Sequence, residues 1–577
     1  MTRIYLLAFL ALLSLSAHAD WIEQSNRYAM QVLERQASVE PETVAAYGLS
    51  RFDAEVAHIG PGSHQRQLAL YRELLAAIDG WRESEKNTRV IQDLEIMASA
   101  MQGELDTLQL EHQYLLPYVD LHAFLFNSFR SLLDPRVDRK RYPAALERLA
   151  KYTGQADGVT PITEQARSLT ESRRADKTLL GPYRGEVENH LESAPHLLAG
   201  LRSVFEDSGL DGWQDGLALL EQQLADYGNW VRETVLPLAR EDNRLPEALY
   251  VDSLKSYGVM DSPEALIAEG QYSYQLIRSQ MQALAMRIAA ERGWKDHRLV
   301  PVLRELKKQQ VPQDELLALY RERLKTVEDI IRREQLVTLP GRDAVIRMAS
   351  EAEAAAIPAS FMSPPQLIDN TGQYGEFVLV QSNPALGPEA QMDDWSHDAM
   401  TWALLVHEAR PGHELQFSRL VEDGTSLARA IYAFNSANAE GWGLYAESIM
   451  QPYLPLEGQL FDLYTRLMRA ARMFLDPMVN TGQMSRDEAE NFLVEQTALS
   501  RPMASSEADR YAFRLPGQAT SYYYGYVRLM RLRTEVEIAL GDDFSALEFH
   551  DFILKQGLLP PALLREAVLQ QFGVSRD

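Results

Sequence analysis

The stretch ALLVHEARPGHELQFSRL, residues Ala403–Leu420, sets the main question that this sequence poses. A zinc-binding helix of the His-Glu-x-x-His type places its second histidine four residues after the first. Here the pair His407–Glu408 is followed by Pro411–Gly412, and the next histidine is His413. The question is whether two imidazoles six residues apart, with a helix breaker between them, can share one metal ion.

Helix geometry shows what this spacing requires. Each residue of an α-helix turns by about 100°, so side chains at i and i+4 differ by only about 40°, whereas those at i and i+6 differ by about 240°. Pro411 has no N–H for the carbonyl of His407, and Gly412 tolerates backbone angles that other residues resist. We therefore predict a local bulge that loops out about two residues and brings His413 back towards His407.

The composition is that of an ordinary soluble globular protein. The chain has 577 residues, 46% of them hydrophobic and 24% charged, which is enough to build a large core. Its formal net charge is −25, without a long run of one sign. Because binding to nucleic acid requires a basic surface, we expect no nucleic-acid partner.

The first residues are typical of a signal peptide. Arg3 supplies a positive charge, the apolar run IYLLAFLALLSLS follows it, and Ala17–Ala19 (AHA) has the small-x-small pattern of a cleavage site. We expect residues 1–19 to be removed, with the mature protein periplasmic or secreted and not stably inserted in a membrane. The alternative is that the segment stays as an uncleaved anchor. The sequence contains no cysteine, so it offers neither disulfides nor a thiol for a lipid anchor.

Helical periodicity dominates the rest of the chain. Apolar residues recur at three- and four-residue intervals in 64–84 and 312–336, and 261–293 forms a longer helical stretch after a Ser-Pro start. The sequence predicts a mainly α protein, a single helical body over 20–577. We divide this body loosely into a helical half, 20–340, and a half carrying the chemistry, 341–577.

One segment reads as a strand. GEFVLVQSNP, Gly375–Pro384, lies between a proline-rich stretch and the segment with the His-Glu pair. An exposed edge strand at this place could bind an extended peptide through its backbone. The alternative is an ordinary arm of a hairpin.

Several motifs together resemble one family. HEARPGHELQ is similar to the His-Glu-x-x-Pro-Gly-His-x-x-Gln signature of the bacterial DUF885 family of predicted zinc metallopeptidases. The resemblance extends to AEGWGLYAE (Ala439–Glu447), DRYAFRLPGQATSYYYG (Asp509–Gly525) and FHDFILKQGLLPPALL (Phe549–Leu564). It implies a large helical metallopeptidase-like body with a central cleft and a small β element beside the zinc helix. Many members have a further histidine where this chain has Glu414, which we expect to be a solvated helix charge.

The resemblance and the chemistry of zinc suggest a ligand set. His407 and His413 are expected to bind Zn²⁺, with Glu440 as the third ligand and Gly441 allowing the helices to approach closely. The alternative for Glu440 is a carboxylate near the positive end of a helix. Glu447, seven residues further on, could orient a ligand or replace Glu440. Beside the metal, Glu408 is expected to act as the general base.

The motif RYAFRLPGQATSYYYG supplies the remaining candidates. Tyr522 falls where the family pattern has a tyrosine, and its hydroxyl could stabilise an oxyanion. Arg510 is the candidate for binding a substrate carboxylate, and Gln518 could cap or line the cleft. The alternative is that Tyr522 is a packed aromatic residue of a helix. Two other histidines, His112 and His122, lie among apolar residues without ligand spacing and are expected to be structural.

These observations favour a secreted zinc-dependent hydrolase of peptide bonds in short peptides. The same residues could instead serve a zinc amidase acting on cell-wall or other non-protein amides. From another class, a periplasmic binding protein could retain the fold without catalysis. The sequence leaves the oligomeric state open.

Overall fold

The chain is mainly α-helical, as the sequence predicted. This is seen in a computed structural model that describes residues 21–349, 360–370, 372–380 and 392–574. The expected signal peptide, residues 1–19, lies outside the described residues. In the described part of the chain no helix is both long and apolar enough to cross a membrane.

The helices that precede the sheet account for most of the first 340 residues. They are, in chain order, α1 (21–36), α2 (Pro41–Ala46), α3 (Ser63–Ser84), α4 (Thr88–Tyr114), α5 (Leu121–Leu132), α6 (Ala144–Thr153), α7 (Ile162–Arg173), α8 (Arg184–Ser208), α9 (Gln214–Trp230), α10 (Glu247–Ser256), α11 (Pro263–Arg292), α12 (Leu299–Lys307) and α13 (Gln313–Arg333).

The second group of helices carries the candidate site. It comprises α14 (Asp398–Glu408), α15 (His413–Glu422), α16 (Ser436–Met450), α17 (Leu456–Asn480), α18 (Arg486–Thr497), α19 (Arg501–Asp509), α20 (Ser521–Leu540), α21 (Ala546–Lys555) and α22 (Pro561–Gln571). Short 3₁₀ turns occur at Ser50–Phe52, Arg139–Arg141, Leu236–Leu238, Gln451–Tyr453, Gln518–Thr520 and Gly541–Asp543, and π-helical turns at Val231–Val235, Ala428–Tyr432 and Arg510–Arg514.

Helix α11 shows how local sequence sets these boundaries. The side chain of Ser262 accepts the N–H of Ala265, and Pro263 occupies the first turn, where no intrahelical donor is needed. At the other end Gly293 adopts φ 68°, a left-handed angle that suits glycine. The predicted helices over 64–84, 261–293 and 312–336 are confirmed as α3, α11 and α13.

A small sheet lies between the two groups of helices in sequence. It consists of β1 (Val345–Met348), β2 (Phe361–Ser363) and β3 (Glu376–Leu379), in the spatial order β1-β3-β2. Strand β3 runs parallel to β1 and antiparallel to β2. The expectation of an exposed edge strand at Gly375–Pro384 is therefore wrong for its described part, because β3 has a neighbour on each side. Buried apolar residues on both faces of β3 favour this central position.

One large hydrophobic core joins helices from both groups. Fully buried members include Leu266 and Met281 of α11, Leu405 of α14, Leu444 of α16 and Leu467 of α17. A separate core lies among α5 to α9. The candidate metal ligands belong to helices of the large core.

Candidate metal centre

Helix α14 carries His407 in its last turn and is buried along nearly its whole length. Its first turn is capped by His397, whose ring accepts the N–H of Met400 at 3.3 Å. The helix packs against α13, α16 and α17. A helix that is apolar on all sides must be enclosed by other elements, so α14 presents its last-turn side chains to the interior.

The connection between the two histidines is a complete break in the helix. Helix α14 ends at Glu408, the bond between Arg410 and Pro411 is cis, and α15 begins at His413. A Cβ on Gly412 would lie 1.9 Å from the carbonyl oxygen of His407. The expected bulge within one helix is therefore wrong in form. Proline removes a backbone donor and glycine contacts the preceding turn so closely that no side chain fits there.

A buried ion cluster fixes this break. Arg410 is fully buried and lies 2.7 Å from a carboxylate oxygen of Glu414 and 2.5 Å from one of Glu328. The other oxygen of Glu414 is 2.9 Å from a guanidinium nitrogen of Arg342. The expectation that Glu414 is a solvated helix charge is wrong, because two arginines hold it in the interior. Arg342 and Glu328 lie more than 70 residues away in sequence, so local patterns give no signal of most of this cluster.

The structure brings His407, His413 and Glu440 together. The Nε2 atoms of both histidines lie 3.4 Å from Oε2 of Glu440. The two rings are nearly perpendicular, with centroids 4.7 Å apart and an interplanar angle of 83°. One ligand atom from each residue lies within 4.8 Å of the other two, a separation at which the three could hold a single metal ion.

The far side of each imidazole has its own partner. Nδ1 of His407 is 2.7 Å from Oε1 of Glu447, whose second oxygen accepts a hydrogen bond from the Thr465 hydroxyl. Nδ1 of His413 is 3.3 Å from the side-chain oxygen of Gln416. A ligating histidine usually donates its second ring N–H in this way, which fixes the ring and leaves Nε2 for the metal. The contact places Glu447 behind His407 and leaves Glu440 as the carboxylate that faces both Nε2 atoms.

Two glycines of α16 make this packing possible. A Cβ on Gly443 would lie 2.6 Å from Cε1 of His407, so the absence of a side chain leaves room for the imidazole. A Cβ on Gly441 would lie 2.6 Å from the carbonyl carbon of Gly525 in α20. Gly441 therefore permits close contact between α16 and α20. The glycine that lies beside His407 is Gly443, which was not identified from the sequence.

The electrostatics of the cluster favour a cation. Burial raises the pKa of Glu440, but the two neighbouring imidazoles outweigh it and hold that pKa well below its ordinary value. Burial lowers the pKa of His407, while Glu440 and Glu447 raise it, with a net pKa of about 9. Oε2 of Glu440 is buried and accepts no hydrogen bond from the described residues. An ionised oxygen that lacks a donor is the type of atom that a metal ion would satisfy.

Glu408 lies between the metal cluster and the sheet. It is half-buried, and its Oε2 accepts the backbone N–H of Met362 in β2 at 2.9 Å. It forms no ion pair within the described ranges. Strand β2 is thus the edge strand that contacts the His-Glu pair. The sequence had led us to expect the segment that forms β3 in this position.

The second predicted motif forms a group around Tyr522. A guanidinium nitrogen of Arg510 donates to the Tyr522 hydroxyl at 3.0 Å, and Arg510 also contacts the Gln518 side chain. Another of its nitrogens is 3.2 Å from the carboxylate of Glu507. The ring of Tyr522 additionally faces Arg472, whose guanidinium carbon lies 4.8 Å from the ring centroid. Arg510, expected to bind a substrate carboxylate, is therefore already engaged with a carboxylate of the protein.

Tyr522 lies on the part of α20 that contacts α16. The preceding residue, Ser521, has its hydroxyl 2.6 Å from that of Ser436, and one turn further on the two helices meet at the glycine pair described above. Glu440 lies between these two contacts on α16. Helix packing thus connects the tyrosine motif to the helix that carries the third candidate ligand.

The two histidines expected to be structural lie elsewhere. His122 is buried, with Nδ1 3.9 Å from a carboxylate oxygen of Asp120. His112 is partly exposed, stacks on His64 with ring centroids 4.0 Å apart, and contacts Arg173. These last three residues line a cavity of about 400 Å³, to which none of the three candidate metal ligands contributes. The expected central cleft over the metal cluster stays a prediction.

The fold and the cluster together define a large, mainly α-helical protein with a candidate metal centre in its main core. The chain belongs to the DUF885 family, described as "Bacterial protein of unknown function", whose model matches residues 41–568. The resemblance drawn from the sequence motifs is thereby confirmed. No curated protein matches the chain.

Two solved structures share the fold over nearly its full length. One is titled a "putative lipoprotein from Colwellia psychrerythraea", with a TM-score of 0.76, 18% sequence identity and coverage of 96% of this chain and 100% of that one. The other is titled a "putative lipoprotein of unknown function from Shewanella oneidensis", with a TM-score of 0.75, 17% identity and coverage of 94% and 99%. At such identities the likeness concerns the fold alone.

Proposed function

We propose that this protein is an exported zinc-dependent hydrolase that cleaves peptide bonds in short peptides. One observation carries the proposal. The Nε2 atoms of His407 and His413 both lie 3.4 Å from the same buried oxygen of Glu440, while each Nδ1 has a separate partner. Purely structural histidines need not place their second nitrogens against one buried carboxylate oxygen that accepts no hydrogen bond from the described residues.

The donor set fits zinc. Two imidazole nitrogens and one carboxylate oxygen form a usual ligand set of catalytic zinc sites, which leave a further position open. When bound in such a site, zinc lowers the pKa of water towards ~7 and polarises a carbonyl group. The residues that would hold it are His407, His413 and Glu440, with Glu447 and Gln416 orienting the two rings.

Glu408 has the position required of a general base. It is adjacent to His407 in sequence and remains partly accessible, and its observed hydrogen bond comes from the backbone of Met362. That bond orients the carboxylate without neutralising it, since a backbone N–H carries no charge. The remaining lone pairs of Glu408 can accept a proton from the attacking water and pass it to the leaving amine.

Tyr522 is the candidate donor to the oxyanion that forms when water adds to the amide. Its oxygen accepts a hydrogen bond from Arg510, so its own O–H stays available to donate. The positive charge of Arg510 strengthens that donor, because it favours negative charge on the phenol oxygen and on its acceptor. Arg510 is thus a positioning residue in this proposal.

Export is the second part of the proposal. The N-terminal segment has the pattern of a signal peptide, and both structural neighbours are titled lipoproteins. The present sequence contains no cysteine to which a lipid could be attached. We therefore propose a periplasmic or secreted location without a lipid anchor of that kind. N-terminal sequencing of the mature protein from a bacterial periplasm would test it, with cleavage expected after Ala19.

The enzymatic part is tested by metal analysis followed by peptide digestion. Purified protein should contain one zinc ion per chain, and a peptide library read by mass spectrometry should show cleavage that a chelator abolishes. Glu408→Gln should retain the metal, and its rate of peptide cleavage should fall by at least about 100-fold, the lower end of the range for a general base. Bound zinc without cleavage of any peptide would favour a binding protein instead. Cleavage confined to cell-wall or other non-protein amides would favour an amidase.

A further inference from the structure

Helix α17 buries three arginines spaced three residues apart, and one of them has no counter-ion in the part of the chain that the structure describes. Arg466 is paired with Asp462, and Arg472 lies 2.7 and 2.8 Å from the two oxygens of Glu507. Arg469, only 6% exposed, forms no ion pair with the residues that the structure describes. A buried charge is costly unless it is paired, so a guanidinium without a counter-ion among the described residues is a candidate site for a bound anion.

The hydrogen bonds of Arg469 confirm that it is undersatisfied. Its Nη1 makes a long contact, 3.4 Å, with the carbonyl oxygen of Thr465. Its Nε is buried and has no acceptor among the described residues. An arginine carries five N–H donors and no acceptor, so Arg469 can donate to further oxygen acceptors.

Arg469 belongs to the surroundings of the candidate metal centre. Its guanidinium carbon lies 5.8 Å from the centre of the Tyr522 ring. Thr465, one turn earlier on α17, donates its hydroxyl to Glu447, the carboxylate behind His407. Arg469 therefore faces the ring of the proposed oxyanion donor and lies one helical turn from Thr465, which bonds the carboxylate behind His407.

The charge around Tyr522 is positive. Its ring faces the guanidinium groups of Arg469, Arg472 and Arg510 at 5.8, 4.8 and 5.2 Å. The single carboxylate of Glu507 pairs with the last two. Three positive charges and one negative charge leave an excess of two in a buried place, where electrostatic attraction is stronger than in water.

Asp476 does not remove this excess. It interacts electrostatically with Arg510, but its oxygens accept hydrogen bonds from the Gly517 N–H at 2.9 Å and the Tyr250 hydroxyl at 2.8 Å. Burial raises the pKa of Asp476 to about 7, so this carboxyl is only partly ionised near neutral pH. Asp476 therefore does not fully neutralise the positive charge of Arg510 and its neighbours.

We propose that Arg469 binds a carboxylate of the substrate, and that the site selects peptides carrying a carboxylate close to the bond to be cleaved. The inference rests on the proposed peptide hydrolysis. It assigns to Arg469 the role that the sequence motif suggested for Arg510, because Arg510 already has Glu507 as its counter-ion. The carboxylate is either the C-terminus of a short peptide or an acidic side chain, since both offer the same two oxygens to a guanidinium.

The test compares three peptides of one core sequence: a free C-terminal acid, its C-terminal amide, and the amide with a glutamate beside the scissile bond. The zinc-loaded wild type, Arg469→Gln and Arg469→Lys are assayed, with the exposed Arg531→Gln in α20 as a control. Arg469→Gln should lower kcat/KM for carboxylate peptides by roughly 10- to 100-fold and leave the amide unchanged. Arg469→Lys should recover part of the loss. Preference for the first or the third peptide identifies the source of the carboxylate.

Equilibrium binding supplies a readout that does not depend on turnover. In the Glu408→Gln background, Arg469→Gln should weaken binding of the carboxylate peptides by a similar factor and leave the amide unaffected. Equal effects on acid and amide, or no effect on either, would overturn the inference even if the wild type cleaves peptides. Cleavage of no peptide together with Arg469-dependent binding of the acid would refute hydrolysis and support the carboxylate site.

Discussion

The imidazole of His407 is held from both sides, and each contact serves a different purpose. Nε2 faces Glu440 and His413, where a metal would bind, whereas Nδ1 contacts the fully buried Glu447. A carboxylate behind a ligating histidine fixes the ring and makes its other nitrogen a better donor. The strength of metal binding should therefore depend on a residue that does not touch the ion.

We predict that Glu447→Gln weakens zinc binding by roughly 10- to 100-fold, because the amide keeps the shape of the carboxylate but loses its charge. Competition with a chromogenic chelator measures the affinity. Ser448→Ala, on the same helix but hydrogen-bonded to the backbone of its own turn, is the control and should bind zinc as the wild type does. Unchanged affinity in Glu447→Gln would show that this contact has no part in metal binding.

Gly443 is a second residue at which a small substitution should have a large effect on zinc binding. In Gly443→Ala the added Cβ would lie 2.6 Å from Cε1 of His407, so the ring has to move and zinc binding should be lost or strongly reduced. Gly103→Ala in α4 is the matched control, because a Cβ there meets nothing within 4 Å. That change should raise the free energy of unfolding by about 0.5–1 kcal/mol. Similar behaviour of the two variants in calorimetric zinc titrations would contradict the proposed role of Gly443.

At the scale of elements, the break between α14 and α15 determines whether the two histidines converge. Gly412→Ala would place a Cβ 1.9 Å from the carbonyl oxygen of His407, in backbone that cannot move aside. We expect this variant to lose zinc binding and to be less stable by about 1–3 kcal/mol or more, the usual cost of overpacking. Urea denaturation measures the change in stability, and metal analysis of the purified variant measures its zinc content. Gly80→Ala, in α3, is a control for the metal content, since its Cβ meets nothing within 4 Å. Normal metal content in Gly412→Ala would contradict the account.

Sequence periodicity and capping residues predicted the helices well, and the His-Glu motif together with the family resemblance led to the three residues that the structure brings together. These signals are local, because a helix repeats every 3.6 residues and its caps lie at its ends. Glycine positions were harder to interpret. Gly441 was expected to let helices approach, yet only the structure shows that its partner is Gly525 and that Gly443 faces the metal ligand.

The errors concern contacts between distant segments. Glu414 has the appearance of a surface charge in sequence, and its burial follows from Arg342, 72 residues earlier, and from Arg410. The position of β3 in the sheet depends on its pairing with β1, which is also set by tertiary structure. Arg469 gave one overlooked signal, because Arg466, Arg469 and Arg472 recur at three-residue intervals along one helix.

At the scale of the whole molecule, His550 connects parts of the main core that are far apart in sequence. Its Nδ1 lies 2.6 Å from the carbonyl oxygen of Leu336, and its Nε2 lies 2.7 Å from the Tyr445 hydroxyl. A carbonyl can only accept, so Nδ1 carries the proton and Nε2 accepts from the tyrosine. The hydrogen bond from the tyrosine requires an unprotonated Nε2 and therefore a neutral ring, whereas the bond to the carbonyl forms in either protonation state. Burial accordingly lowers the pKa of His550 from 6.5 to about 4.

This pKa predicts how stability depends on pH. Above pH 6.5 His550 is neutral in both the folded and the unfolded chain, so its contribution to the free energy of unfolding is complete. This contribution is lost as the pH falls from 6.5 to about 4, because the unfolded chain gains the proton first. Protonation of His550 should account for up to ~3 kcal/mol of the decrease in the free energy of unfolding over this pH range. Urea denaturation at several pH values measures it. His550→Gln should be less stable at pH 7 but show a shallower decline below pH 6.5, and an unchanged decline would contradict this assignment.

The central claim is that His407, His413 and Glu440 bind one zinc ion. Anomalous X-ray diffraction at the zinc absorption edge, from crystals of the zinc-loaded protein, tests it most directly. The account predicts one strong peak per chain between the Nε2 atoms of the two histidines and the Glu440 carboxylate, and its absence from crystals of His413→Ala grown in the same way. A zinc-loaded wild-type crystal without that peak, or with the peak held by other residues, would contradict the account.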